Sequence, residues 1–500
     1  MMSFSFFSQT PLFLISEIFY GLCLIFLLCL GLYFSAALYE VKGYQRSNIL
    51  SFSNDFLKLG IIMSFMSIGL FLSSKTEFVL FDNQFVQSDF LVNGKVILLF
   101  LLISTFCLSI DYYKYEGLDL FEYPLLKMLA IFMTFFVISS NSFISFYMAL
   151  EAQSLILYIL AAFARKNELS TEAGIKYFIL GVLASGMLLM GIVLIYMSYG
   201  TFFFDDIAIL NYHLSHKPIL VELGCVLIVI SLMFKIGAAP FHVWLPDVYE
   251  GSPLPSTIFF ATVIKFTMLV IFVRLFSMIF AYVDASFYVL NLCAFLSILI
   301  GSIGTLRQTR LKRFVAYSGI VHVGFMLLCL CSFDSSISVE AFFFYVLMYM
   351  ITSIGFFGIV TSMRPLLDNS YRSMYFIEFS HLAHKNLFLA ISGMIFIASM
   401  AGIPPLSGFF AKFYVLWATI ESKNYFLALV ALIFSVLSMF YYLRIIRIMW
   451  FDASIPTWIS YKVPERLCAI LISLSVFMIV GYFFEPSILS SLFFILFSTI

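Results

Sequence analysis

Charge is what this sequence has least of. Only 11% of its 500 residues are Asp, Glu, Lys or Arg, whereas 63% are hydrophobic; a soluble domain has about a quarter of its residues charged. With a mean hydropathy of +1.07, that scarcity excludes a soluble fold and leaves a polytopic membrane protein. Neither sign is in surplus, 27 basic against 27 acidic residues, so nucleic acid is not expected as a partner. The eight cysteines form no CxxC pair and all lie in apolar runs. Zinc and iron–sulfur sites need clustered thiolates, so these cysteines read as small apolar core residues, and no metal or cofactor is expected in this chain. The N-terminus lacks a basic n-region ahead of its first apolar run, which predicts no cleaved leader and a retained first segment.

What is there is a succession of long apolar runs. A spanning helix needs about 20 apolar residues, and that measure predicts fourteen segments: 11–34, 52–72, 95–113, 124–141, 142–164, 174–200, 219–249, 254–281, 286–306, 313–332, 339–362, 386–421, 424–450 and 466–484. Sixteen Lys and Arg then fall in odd-numbered loops and four, Lys75, Lys95, Lys217 and Lys423, in even-numbered loops. The positive-inside rule places the odd loops in the cytoplasm or matrix and both termini on the opposite side. Seven basic residues remain inside the segments. Lys58, Lys127, Lys176 and Arg274 lie near helix ends, where they are expected to snorkel to the interface. Lys235, Lys265 and Lys412 have no such escape; Lys265 is about 16 Å into its helix at ~1.5 Å per residue.

The chain is organised around FKIGAAPFHVWLPDVYEGSP (234–253), where Lys235 is followed by Gly237 and Pro240, residues that interrupt the helical hydrogen-bond ladder. Irregular backbone at membrane depth is tolerated only where it is buried in protein or lines a cavity. MAGIPPLSGFFAKF (400–413) matches it at an offset of 165, Gly237 with Gly402 and Pro240 with Pro405. Five helices lie between the two breaks, so the repeats are expected to be inverted, the layout of ion-coupled transporters. The lysines themselves do not align. The predicted architecture is all-α, with two inverted five-helix repeats that each contain a broken helix. It has an N-terminal three-helix segment over 1–116, a first repeat over 124–281, a second over 286–450, and a C-terminal helix and tail over 451–500.

Each mid-membrane charge costs about 2.5–3.5 kcal/mol on insertion scales. Glu151, in ALEAQSLILYILA (149–161), joins Lys235, Lys265 and Lys412 as a fourth, each on a different helix. Such residues mark ion or proton pathways; the competing reading is structural ion pairing. Burial lowers a lysine's proton affinity and a nearby carboxylate restores it, so a Glu151–Lys235 contact that makes and breaks would switch protonation. His322, in VAYSGIVHVGF (315–325), is the natural bridge between the halves, against a bland reading as a hydrogen-bonded core histidine. His242, just past the first break, and Tyr317 are further candidates; Tyr317 and Ser318 would extend a water chain. Asp247 and Glu250 read as caps of their segment. His213 and His216 near Asp205 and Asp206, and His381 with His384, read as solvated loops. The small residues Gly174, Gly181, Ala184, Gly186 and Gly191 predict close helix packing.

Taken together, LEAQSL, KYFILGVLASG, FKIGAAPFHVWLPDVYEGSP, ATVIKF, RLKRFVAYSGIVHVGF and AGIPPLSGFFAKF resemble the antiporter-like subunit 2 (N in bacteria) of NADH:ubiquinone oxidoreductase, respiratory complex I. The resemblance covers about 140–450. PDVYEG after PFHVW separates this subunit from its sister subunits, and the extra N-terminal helices resemble the long form of bacteria, plants and protists. The plastid relative carries Gln-Ile where this chain has His322-Val323, and Pro-Glu-Cys where it has Leu150-Glu151-Ala152. The resemblance implies a proton channel in the membrane arm, with Glu151 and Lys235 as coupling pair and Lys265 relaying through His322 to Lys412. It implies no cofactor here, and as partners the other membrane-arm subunits and membrane lipids. The 63 phenylalanines point to a T-rich organellar coding sequence, hence to the mitochondrial inner membrane, with a bacterial plasma membrane or thylakoid as alternatives. Three other functions stand beside this one: an Mrp-like cation/proton antiporter subunit, a plastid NDH subunit, and an inactive scaffold.

Overall fold

The computed structural model describes residues 15–40, 50–73, 78–116, 120–214, 217–333, 337–363, 375–380, 382–452 and 465–486; His216 and His381 lie outside them. Among these residues thirteen helices are long and apolar enough to cross a membrane. Three precede the first repeat: α1 Ile15–Glu40, α2 Leu50–Ser73 and α3 Asp89–Glu116. A hairpin of β1 (Phe78–Leu80) and β2 (Phe85–Gln87) joins α2 to α3, antiparallel with Val79 opposite Val86. It is a small departure from the all-α expectation, turned by Phe81, Asp82 and Asn83 at positive φ.

Next come α4 Glu122–Ser139, α5 Phe143–Ala161, α6 Glu168–Tyr199, the short α7 Phe204–His213, α8 Ile219–Ile236, the short α9 Trp244–Gly251 and α10 Leu254–Met278. Ser142 separates α4 from α5 because its hydroxyl accepts the Ser145 N–H at 3.2 Å, an N-cap. α6 and α8 cross closely at Gly191 and Gly224, where a Cβ on either would meet the other's carbonyl, the packing expected of small residues in a membrane. The second half comprises α11 Asp284–Leu306, α12 Leu311–Leu330, α13 Ser338–Ser362, α14 Leu387–Ala401, α15 Ser407–Glu421 and α16 Tyr425–Trp450, and α17 Arg466–Phe484 closes the described chain.

The expected broken segment 386–421 is two half-helices, α14 and α15, of 15 residues each, with the break between them. Both breaks end their first helix in the same way. Gly237 and Gly402 sit at φ +81 and +84, the left-handed conformation that glycine adopts without a Cβ clash. The amides of Gly237 and Ala238 close on Met233 O, and those of Gly402 and Ile403 close on Ala398 O. Met233, Gly237, Ala238 and Pro240 therefore correspond to Ala398, Gly402, Ile403 and Pro405 at the offset read from sequence.

The axis of the molecule is α10: every residue from Leu254 to Phe276 is buried. α12 and α13 flank it with few exposed side chains, whereas α1, α6, α16 and α17 present exposed apolar residues such as Ile179, Leu183 and Met197 on α6. Within α10, Phe260–Ile264 forms a π turn that ends immediately before Lys265. π turns are commonly found at functional sites.

The polar chain ends gather at two poles. At one, Asp247 and Glu250 of α9 meet Lys176 of α6 and Arg310 and Arg313 at the start of α12. At the other, Asn83 of the hairpin turn, Asn141 between α4 and α5, and Asp205 of α7 are joined by hydrogen bonds. The first pole collects loops counted odd and the second collects loops counted even.

Candidate functional site

Lys235 is the last-turn lysine of α8, held at the break because Gly237 ends the helix there. Its Nζ is buried with no hydrogen-bond partner among the described residues. Glu151 lies near enough to act on it electrostatically, but no salt bridge joins them, so the expected coupling pair stands open in this conformation. Among the described residues the Glu151 carboxylate accepts only from Ser154 Oγ, one turn on, at 3.4 Å. It stands on the outward stripe of α5 between exposed Met148 and Leu155, half-buried itself. At the first break Phe234 O accepts from the Gly237 amide and from the Trp244 indole, each at 3.0 Å.

Lys265 follows the π turn and is buried. Its ammonium donates weakly to Gly319 O at 3.5 Å and lies 5.4 Å from the centre of the Tyr349 ring, a cation–π distance. His322, on α12, is clamped between two phenols, with Nδ1 2.9 Å from Tyr345 Oη and Nε2 3.0 Å from Tyr442 Oη. Its ring lies 5.0 Å from that of Tyr349. Tyr349 thus touches both Lys265 and His322, which make no direct contact with each other. Lys412, on α15, donates to Ala401 O at 2.7 Å, the last carbonyl before the second break, and to Ser438 Oγ at 3.4 Å. Between His322 and Lys412 lies a cavity of about 20 Å³, also lined by Tyr345, Tyr349 and Ser399. That is room for a single water.

The structure therefore brings Lys265, His322 and Lys412 into one polar line and leaves Lys235 apart from it. Among the described residues no hydrogen bond links Lys235 to Lys265. Between the break and the π turn stand aromatic rings instead: Trp244 stacked on Tyr177 at 4.7 Å, and Tyr177 against Phe260 at 6.1 Å.

His242 sits in the first break with Nδ1 buried and unpartnered, 6.4 Å from the Tyr317 ring. Tyr317 thus faces His242 and not the Lys265–His322 line. Ser318 donates to Val315 O at 3.1 Å, and its hydroxyl also contacts the Tyr442 phenol, one of the two on His322. His384 is exposed, and among the described residues no group of three or more metal-ligating side chains occurs.

Several basic residues depart from the sequence reading. Lys58 and Lys176 are exposed at their helix ends, as expected. Lys127 and Arg274 do not snorkel: Lys127 is buried on Pro255 O at 2.9 Å, and Arg274 is buried on main-chain carbonyls. Near a helix end, sequence position does not show whether another helix offers a carbonyl closer than the interface. Lys95 belongs to α3 and not to a loop, and it forms a buried ion pair with Glu17 of α1 at 2.6 Å. Asp247 and Glu250 are not simple caps but tie α9 to α6 and α12.

Three tyrosines of the site, 345, 349 and 442, escaped the sequence reading. Tyr345 and Tyr349 are one helical turn apart on α13, the spacing that places both on one face.

The NADH:quinone oxidoreductase/Mrp antiporter transmembrane family model matches residues 140–438. NADH-quinone oxidoreductase subunit N of Rhodospirillum rubrum is 38% identical over 395 residues, 79% of this chain and 80% of that one. NADH-ubiquinone oxidoreductase chain 2 of Marchantia polymorpha is 36% identical over 411 residues, 81% and 82% of the two chains. A chain of respiratory complex I from Thermus thermophilus superposes with a TM-score of 0.77 at 23% identity, over 95% of this chain and 98% of that one, which is a likeness of fold. With its two broken helices and its line of buried lysines, this chain belongs to the NADH:quinone oxidoreductase/Mrp antiporter membrane family.

Proposed function

We propose that the chain is the proton-translocating subunit 2 (N) of the complex I membrane arm, carrying protons through Glu151, Lys235, Lys265, His322 and Lys412. The observation that carries this reading is the line from Lys265 through Tyr349 and His322 to Lys412, which crosses from the first half to the second in the driest part of the molecule. Two ammonium groups at that depth, each costing a few kcal/mol to insert, mark an ion pathway. A histidine with a hydroxyl on each nitrogen can take a proton on one side and release it on the other.

The gap between Lys235 and Lys265 has its own role. A channel continuous from one face to the other would leak, because a charge crossing the potential changes energy by about 2.3 kcal/mol per 100 mV. The aromatic rings at Trp244, Tyr177 and Phe260 are where hydration must come and go. The orphaned Lys235 Nζ and His242 Nδ1 are the groups that water entering the first break would satisfy. Electron transfer belongs to other subunits; this chain supplies no cofactor and does no redox chemistry. The half-buried Glu151, facing outward at membrane depth, requires a neighbouring membrane-arm subunit to cover it. The membrane is the mitochondrial inner membrane.

One observation favours the scaffold reading. Lys265 and Lys412 both donate to main-chain carbonyls, so each is satisfied without conducting. Proton pumping against NADH:quinone turnover in reconstituted membranes, wild type against Lys235→Met, separates the two. Intact assembly with turnover and pumping falling together supports the relay. Unchanged turnover and pumping would make the buried charges structural.

A further inference from the structure

The relay needs the first half shut at the pole away from the matrix, or a proton on Lys265 has a second way out. We infer that Arg274 is the electrostatic stopper of that pole, an inference that rests on the relay proposed above. Arg274 lies on α10 nine residues beyond Lys265, about 13 Å along the helix at ~1.5 Å per residue. All side chains between the two are buried, and the one polar group among them, Thr267, spends its hydroxyl on Val263 O at 2.9 Å. At the end of this dry stretch the guanidinium donates to Ile138 O at 3.0 Å, Ser140 O at 2.7 Å and Asn141 Oδ1 at 3.1 Å. Asn141 passes the link outward, donating to Asp205 Oδ2 at 2.8 Å and Asn83 Oδ1 at 3.0 Å.

The order of charges decides the effect. Coming from Lys265, a proton meets the buried arginine first. Its counter-charge, Asp205, lies farther out on α7 and is half exposed, where solvent screens it. Lysine and histidine can lose a proton, but a guanidinium stays charged at any working pH. Arg274 therefore repels an arriving proton and cannot hand one on, as arginines at channel constrictions exclude cations. The positive-inside rule assigns the hairpin, the α4–α5 turn and α7 to the side away from the matrix, so the block falls on the face where release from the first half would short-circuit the relay.

The test uses the whole complex in sealed proteoliposomes, with decay of an imposed pH gradient in the absence of NADH as one readout and protons pumped per NADH as the other. Arg274→Gln is expected to speed the decay several-fold and lower the pumped ratio while NADH:quinone turnover is equal or faster; Arg274→Lys, which keeps the charge, is expected to stay tight. Adding Lys265→Met to Arg274→Gln should abolish the leak. A tight Arg274→Gln with the wild-type ratio overturns the stopper. Should Arg274→Gln not assemble, Arg274→Gln with Asp205→Asn removes both charges and keeps the polar contacts; failure of this pair as well makes Arg274 structural and overturns the proposal. The relay reading fails separately, if Lys265→Met alone pumps at the wild-type ratio.

Discussion

The buried lysines are held in different ways, and the manner of holding predicts what each substitution does. Lys265 and Lys412 touch carbonyls and aromatic faces, Lys235 Nζ has no hydrogen-bond partner among the described residues, and Lys95 is locked to Glu17 with both side chains almost wholly buried. Removing one partner of a buried pair costs ~3–5 kcal/mol, because the other charge is stranded, whereas replacing both is often neutral. Lys95→Met is therefore expected to reduce the amount of assembled complex sharply and Lys95→Met with Glu17→Gln to restore it, read by native gel and thermal stability. Tyr442→Phe removes one hydroxyl from His322 and, with it, that hydroxyl's contacts with Ser318 and Tyr441. One hydrogen bond is worth ~0.5–1.5 kcal/mol, a factor of about 2–10; pumping should fall by that factor with assembly unchanged. Lys235, Lys265 and Lys412 were legible in the sequence because they lie in apolar runs too far from either end to snorkel, whereas Lys95 and Lys127, nearer the ends, were not. The tyrosines were not: in a chain with 28 of them, nothing in the residue distinguishes a phenol facing His322 from one filling space.

At the scale of elements, the two breaks share a backbone but not a purpose. The glycine–proline spacing announced both, since no regular helix accommodates Gly237-to-Pro240 or Gly402-to-Pro405. What hid was the partner of each freed carbonyl, an indole at the first break and Lys412 at the second, because those partners arrive from ten or eleven residues downstream through the turn. Gly402→Ala forces an L side chain to φ +84, at ~1–2 kcal/mol, and sets its Cβ 2.9 Å from Lys412 Cδ. It should lower both the melting temperature and pumping. Gly237→Ala pays the same backbone cost but meets the flexible Leu245 side chain, away from the ammonium line, and should hurt pumping less. The π turn was invisible in sequence; FATVI is ordinary helical composition. The short helix α9 was legible as PDVYEG but not as a tie. Glu250, itself only 7% exposed between Arg310 and Arg313, should prove more sensitive than Asp247, which is 32% exposed and whose pairs are each worth under about 1 kcal/mol. Assembly of Glu250→Ala against Asp247→Ala checks the order.

Across the whole molecule, loops counted from hydropathy alone gather at two poles, so span order was legible even where one expected span proved to be two half-helices. Placement of the buried residues was not, because helix order along the chain does not say that α10 lies at the axis with α12 and α13 beside it. That arrangement bears on which ion is carried. Sodium must exchange its hydration shell for oxygen ligands, and between Lys265 and Lys412 it would meet two ammonium groups. Replacing sodium by choline in the vesicle assay should therefore leave pumping unchanged; a strict sodium requirement would favour the Mrp-like alternative.

The histidine clamped between Tyr345 and Tyr442 carries one more consequence. A proton accepted on one nitrogen and surrendered from the other leaves the imidazole in its opposite tautomer, with both phenol hydrogens turned the wrong way for a successor. Before the ring can serve again it has to be rewound, by rotation of the two hydroxyls and return of the ring proton. On the proposed relay the bridge is an escapement: it passes one charge per stroke, in single file, and has to be reset before the next.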